Sequence, residues 1–132
     1  MADEAVLWME FDLPIPFTVA DGAGIEKGTL CKMTDPMTAA ASSADNDVFA
    51  GIAAEEKIAS DGRTKLGLYR RGIFKMKVAG AATATAGKDA VIKGANLVGD
   101  YTTLDDEVGY KIGKFLETGA AGETVLVMLQ EC

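Results

Sequence analysis

The sequence predicts an all-β protein: a small β-barrel or β-tulip-like domain preceded by an extended N-terminal arm. Three observations carry this. From Gly22 onward, short apolar runs are separated by Gly, Asp and Thr turns. Asp61-Gly62 is a strong hairpin signal, because glycine supplies the positive φ that tight primed turns need. In the stretch Leu66 to Val78, Phe74, Met76 and Val78 alternate with Lys75 and Lys77, the period of a half-buried antiparallel strand. At 132 residues the chain has room for one domain, burying roughly two thirds of its unfolded surface.

In chain order, Met1 to about Thr18 mixes apolar anchors with acids and ends in Leu13-Pro14-Ile15-Pro16-Phe17. Each proline fixes its own φ and pushes the residue before it toward extended geometry, so helix interior and central strand are both excluded. Residues 1–18 therefore read as an extended arm and 19–132 as a single β-rich domain. The arm carries Leu7, Trp8, Met9, Phe11, Leu13, Ile15 and Phe17, aromatic and aliphatic groups that ask for a receiving surface. On this reading, removing residues 1–17 leaves the domain folded.

Gly28 to Met33 is a strand, stopped by Thr34-Asp35-Pro36. Thr38 to Asp47 is rich in Ala and Ser and reads as a surface loop. Val48 to Ile52 is a strand, and Ala53 to Ile58 is strand by context or short helix by propensity. Gly67 and Gly72 mark bulges or bends in the long stretch that follows. Gly80 to Gly87 holds no bulky residue and connects. Ala90 to Ile92 and Leu97-Val98 are short strands, and Asp100 to Glu107 is an acidic turn region. The chain closes on a hairpin, with Ile112 and Leu116 on one side of its first strand. Its second strand, Thr124 to Leu129, does not alternate. Apolar residues on both faces imply full burial or contact with another subunit, which makes Val125, Val127 and Leu129 candidate oligomer-interface residues.

Composition removes whole classes of function. There is no histidine, so the commonest general base, the Ser-His and Cys-His nucleophile pairs and imidazole metal sites are all missing. A net charge of −7 argues against binding a phosphate backbone, so no nucleic acid partner is expected. No run approaches the roughly 20 apolar residues of a membrane span, and no export signal is visible, so no membrane partner is expected either. Cys31 and Cys132 lie far apart without CxxC spacing and read as reduced, incidental thiols, although a disulfide between them stays open.

The motifs fail one by one. Gly22 to Gly28 would be a dinucleotide loop only with glycine in place of Lys27. Gly87-Lys88-Asp89 lacks the rest of a phosphate loop, and Asp45-Asn46-Asp47 lacks the glycine and distal glutamate of a calcium loop. No metal or cofactor is expected. Asp105, Asp106 and Glu107 are the best residues for a competing reading, a small β-barrel ligand-binding or enzymatic domain built on an acidic cluster. Adjacent acids in a Gly-flanked turn nevertheless lack the apolar surroundings that raise or split carboxyl pKa values. Arg70 and Arg71, with Lys65, Lys75 and Lys77 nearby, form the cationic patch, either a solvated strand face or a contact for an acidic protein partner. A further alternative is a β-barrel interaction module with one binding partner.

Gly28-Thr29-Leu30-Cys31-Lys32-Met33, Phe49-Ala50-Gly51-Ile52-Ala53, Gly72-Ile73-Phe74-Lys75-Met76, Gly113-Lys114-Phe115-Leu116-Glu117 and Glu123-Thr124-Val125-Leu126-Val127 follow one another in an order that resembles the small capsid decoration (cement) proteins of tailed bacteriophages. The likeness covers about Gly22 to Gln130. It implies a structural virion protein rather than an enzyme, usually a homotrimer, made in the host cytoplasm and set on the outside of an icosahedral head at threefold positions. There it would staple major capsid protein subunits after the head expands. The arm is the least matched part, and its role as a capsid-binding segment is read from its apolar residues.

Overall fold

The computed structural model describes residues 3–10, 13–44, 47–101 and 111–129. Eleven strands run in order: β1 (Val6–Glu10), β2 (Ile15–Thr18), β3 (Leu30–Asp35), β4 (Thr38–Ala41), β5 (Phe49–Ala53), β6 (Lys65–Tyr69), β7 (Gly72–Val78), β8 (Asp89–Gly94), β9 (Leu97–Asp100), β10 (Lys111–Phe115) and β11 (Thr124–Leu129). Among the described residues there is no helix, and the all-β class is as the sequence predicts.

Instead of one barrel the strands make two. β2-β4-β3-β5-β6 close into a ring. β7-β11-β10-β8-β9 close likewise through the β7–β9 pairing, with β1 added to the free part of β7. The second ring repeats the first in topology and register. Ile15↔Leu68 to Thr18↔Lys65 in one matches Phe74↔Val127 to Lys77↔Thr124 in the other. Leu30↔Ile52, Cys31↔Gly51 and Lys32↔Phe49 match Asp89↔Lys114, Ala90↔Gly113 and Val91↔Lys111, with the register shift at the same step. The β3–β4 and β8–β9 turns also agree, each placing a non-glycine residue, Met37 or Asn96, at positive φ.

The shared bulge explains a pair of glycines. A Cβ on Gly51 would lie 2.8 Å from the Tyr69 carbonyl oxygen, and one on Gly113 would lie 1.9 Å from that of Met128. Tyr69 and Met128 occupy matching places, so both rings use a bare backbone to let the closing strand approach.

Alternation sorts the side chains into two cores. Phe17, Val19, Ile25, Cys31, Ala39, Ala50, Ala53, Leu66 and Leu68 fill the first ring. Leu30, Phe49 and Ile52 face the other way and join Phe74, Met76, Val78, Ile92, Ile112, Phe115, Val125, Val127 and Leu129 in a cluster spanning both rings. The seam is completed by a buried polar knot: Leu30 N donates to Asn96 Oδ1 (2.9 Å), and Asn96 N donates to Ser42 Oγ (3.2 Å).

Several expectations change. Thr38 to Asp47 begins with strand β4, because small residues fit the narrow ring, and Ala39 is buried. Ala53 to Ile58 forms neither helix nor named strand after Ala53; Lys57 makes an isolated bridge with Ile25. The stretch from Leu66 to Val78 is two strands that belong to different rings. Ile112 is buried whereas Leu116 is 42% exposed, because the bulge in β10 breaks their common face. The boundary expected at residue 18 cuts through the first ring, since β2 supplies one of its five staves and Phe17 is 2% exposed. Removing residues 1–17 would open that ring.

The first ring is closed below by a buried ammonium. The Lys57 side chain has no exposed surface, and its Nζ donates to the Asp21 carbonyl (3.0 Å), Asp21 Oδ1 (3.1 Å), the Ile58 carbonyl (2.8 Å) and Asp61 Oδ1 (2.8 Å). The hydrogen bond from Lys57 and backbone N–H donors hold the Asp61 carboxyl down at about 2. The corresponding place in the second ring is Gly119, bridged to Ala84.

Candidate functional site

Among the described residues, six of the ten exposed large apolar side chains lie on β1 and at the start of β2, and the others, Met37, Val48, Ile58 and Leu116, lie singly elsewhere in the sequence. All five side chains of β1 are exposed, Val6 by 61% and Trp8 by 54%, and Leu13 and Ile15 follow at 80% and 41%. Among the described residues β1 has strand partners along one edge only, that of β7. Its pairs are Val6↔Lys75, Leu7↔Phe74, Met9↔Ile73 and Glu10↔Gly72, with Trp8 as the extra residue where the register shifts. An apolar edge strand with unpaired N–H and C=O groups is a template for another chain.

β1 is held in place at both ends. Ala5 N donates to the Gly28 carbonyl (2.7 Å), Tyr69 Oη donates to Glu10 Oε2 (3.0 Å), and Lys77 reaches Asp3 (3.4 Å). Burial, and then the Glu10 carboxylate, push the Tyr69 phenol up. Two glycines make room for the passing backbone: a Cβ on Gly28 would meet the Ala5 oxygen at 2.4 Å, and one on Gly72 the Met9 oxygen at 2.9 Å.

Cross-strand rows extend the surface over the second ring. Val6, Lys75 and Leu126 form one row, and Met9, Ile73, Met128 and Lys114 the next. The result is a half-exposed apolar face with lysines set into it. Lys114 is partnered by Asp89 at 3.3 Å, and the hydrogen bonds from Lys111 and Lys114 hold the Asp89 carboxyl below its usual range.

The sequence-derived residues divide accordingly. Trp8, Met9, Leu13 and Ile15 are each exposed, Leu7 is turned toward the Phe74 side, and Phe17 is committed to the first core. Phe11 lies outside the described residues. Val125, Val127 and Leu129 point into the second ring and are at most 2% exposed. Their alternate neighbours Leu126 and Met128 are the ones on the outer face, a correction that follows from the period of two. Arg70 Nη1 donates to the Ala50 carbonyl of the neighbouring strand β5 (2.9 Å), while Arg71 is exposed beside Gly72. The acidic cluster Asp105, Asp106 and Glu107, and Cys132, lie outside the described residues. Cys31 is a free, buried thiol, pushed up to about 12 by desolvation. Among the described residues no three metal-ligating side chains gather, and no helix is long and apolar enough to cross a membrane.

Two closed all-β rings, with the exposed apolar strand β1 added at one edge of the second, make up the described residues. A family model described as phage cement protein matches residues 10–129. The chain belongs to that family, and is a bacteriophage virion structural protein associated with the capsid. Its fold is similar to that in the crystal structure of the head fiber gp8.5 N base of bacteriophage phi29, with a TM-score of 0.56 and 13% identity, covering 89% of this chain and 94% of that one. No curated protein matches the sequence.

Proposed function

We propose that the protein binds the outer surface of an icosahedral head as a homotrimer at threefold positions and stabilises the expanded capsid by clamping major capsid protein subunits. The observation that carries this reading is the open, apolar edge of β1 on a chain of the cement family. An extended segment of a capsid subunit adds to that edge. Main-chain hydrogen bonds supply affinity, and Val6, Trp8 and Met9 supply register. Each side chain fully buried contributes roughly 1.5–3 kcal/mol before ordering costs. Three such attachments on one trimer multiply, so weak contacts suffice to hold a shell. Exposed Arg71 meets acidic groups of the capsid subunit.

The test is occupancy of expanded heads. Trp8→Glu and Met9→Glu place charge on the docking surface without entering either core. Both are expected to lower occupancy at least tenfold at fixed concentration, with an unchanged far-UV spectrum. Wild-type occupancy by both variants would remove β1 from the capsid contact.

A further inference from the structure

We propose that β1 is exchanged between copies, so that in the trimer Val6–Glu10 of each chain lies on the β7 edge of the next. The inference rests on the trimeric reading above and names the element that joins the copies.

The duplication isolates β1. Every stave of the second ring has a counterpart in the first, matched in register, and among the described strands β1 alone is additional to the pattern. Its attachments are a short ladder to β7 and polar contacts at its ends. The groups that receive the strand, including the space left by Gly28 and Gly72, belong to the rest of the chain, so β1 of a second copy meets the same partners there. Exchange of an identical element is for this reason a low-cost route to an oligomer.

The first ring shows why the exchange has a direction. Thr18 N donates to Met37 on the β4 side, and Val19 N donates to Thr64 on the β6 side. Alternate residues of β2 therefore face opposite edges, and Pro14 and Pro16 fall on the edge that matches the β1-binding edge of β7. Proline has no N–H to offer, so this second edge cannot receive a strand. Among the described residues each chain has one donor, β1, and one acceptor, the Gly72–Lys75 edge. One donor and one acceptor allow a head-to-tail contact, and in the trimer proposed above three such contacts close the ring.

The exposure pattern is consistent with a swapped boundary. Leu13, 80% exposed, leads from the β1 side into β2. In an exchanged ring, Leu13 and Ile15 lie where donor and acceptor bodies meet, and their apolar surface becomes the boundary between copies.

Val6 and Lys75 are directly opposed and both exposed, so a cysteine pair at these positions reports which chain supplies the strand. In a Cys132→Ser background, the Val6→Cys, Lys75→Cys chain is oxidised and run denatured without reductant. Exchange predicts covalently linked multimers, and a 1:1 mixture of the two single-cysteine chains, refolded together, yields covalent dimers. A band at monomer mass from a protein that is trimeric by native mass overturns exchange while leaving the trimer intact. A monomer by native mass overturns both. Failure of either cysteine pair to form means that β1 is not on β7, and this also overturns the proposal. Occupancy of heads is measured separately, so loss of capsid binding is not confused with loss of exchange.

Discussion

Lys57 shows how much one residue sets in the first ring. Burial disfavours its charge, but the hydrogen bonds it donates to Asp61 and Asp21 outweigh that and raise its pKa. The linkage has a definite sign. Asp61 is depressed from 3.8 to about 2, so its contribution is complete above its unfolded value and is lost as pH falls through its folded one. Lys57, raised above 10.5, contributes fully below that value and loses its contribution in strong alkali. Chemical denaturation at several pH values is expected to show stability falling between about pH 4 and pH 2. Asp61→Asn should flatten that slope and lower stability at pH 7. An unchanged acid slope in the variant would separate Asp61 from acid sensitivity. Nothing in the local sequence marked Lys57 as buried. A lysine beside two glutamates, in a stretch readable as helix, looks solvated until Asp21 is brought to it from far along the chain.

The first eighteen residues divide at the level of strands. The prolines announced extended backbone, which β2 has, but β2 is a stave of the first ring instead of part of a free arm, and Phe17 is buried in that ring. The sequence could not reveal that two neighbouring segments go to different rings, β1 to β7 and β2 to β6, because that depends on pairings with residues far along the chain. Phe17 and Trp8 accordingly differ in energetic role. Phe17→Ala, in the first core, is expected to cost about 3–5 kcal/mol, whereas Trp8→Ala on the exposed bulge should stay within about 0.5 kcal/mol of wild type. Equilibrium urea unfolding of the two variants checks this, and similar losses would mean that Trp8 is packed. In β11 the unbroken apolar run concealed an ordinary alternation, with Val125, Val127 and Leu129 inward and Leu126 and Met128 on the face shared with Val6 and Met9. Hydrophobicity alone cannot tell an inner row from an outer apolar row.

The duplication was the largest feature hidden in the sequence. Its signal lies in the placement of glycines and bulges: Gly28 and Gly87 at the entry to the first hairpin, Gly51 and Gly113 at the closing approach, and Met37 and Asn96 in the turns. Residue identity has drifted between the halves, as with Cys31 and Ala90 or Lys57 and Gly119, so composition and periodicity each see only a run of short strands. Because Leu30, Phe49 and Ile52 of the first ring sit in the same cluster as Phe74 and Ile112 of the second, the rings are expected to unfold together. Calorimetry should give one transition whose van't Hoff and calorimetric enthalpies agree, and two resolved transitions would show the rings to be energetically separate.

For the capsid contact proposed above, the ladder from Val6 to Glu10 has a mechanical meaning. A pull directed along β1 loads its bonds to Gly72–Lys75 in shear, so they must yield together instead of peeling one after another. The tension then passes through Phe74 into the core that holds both rings, and a five-residue strand can anchor the whole molecule.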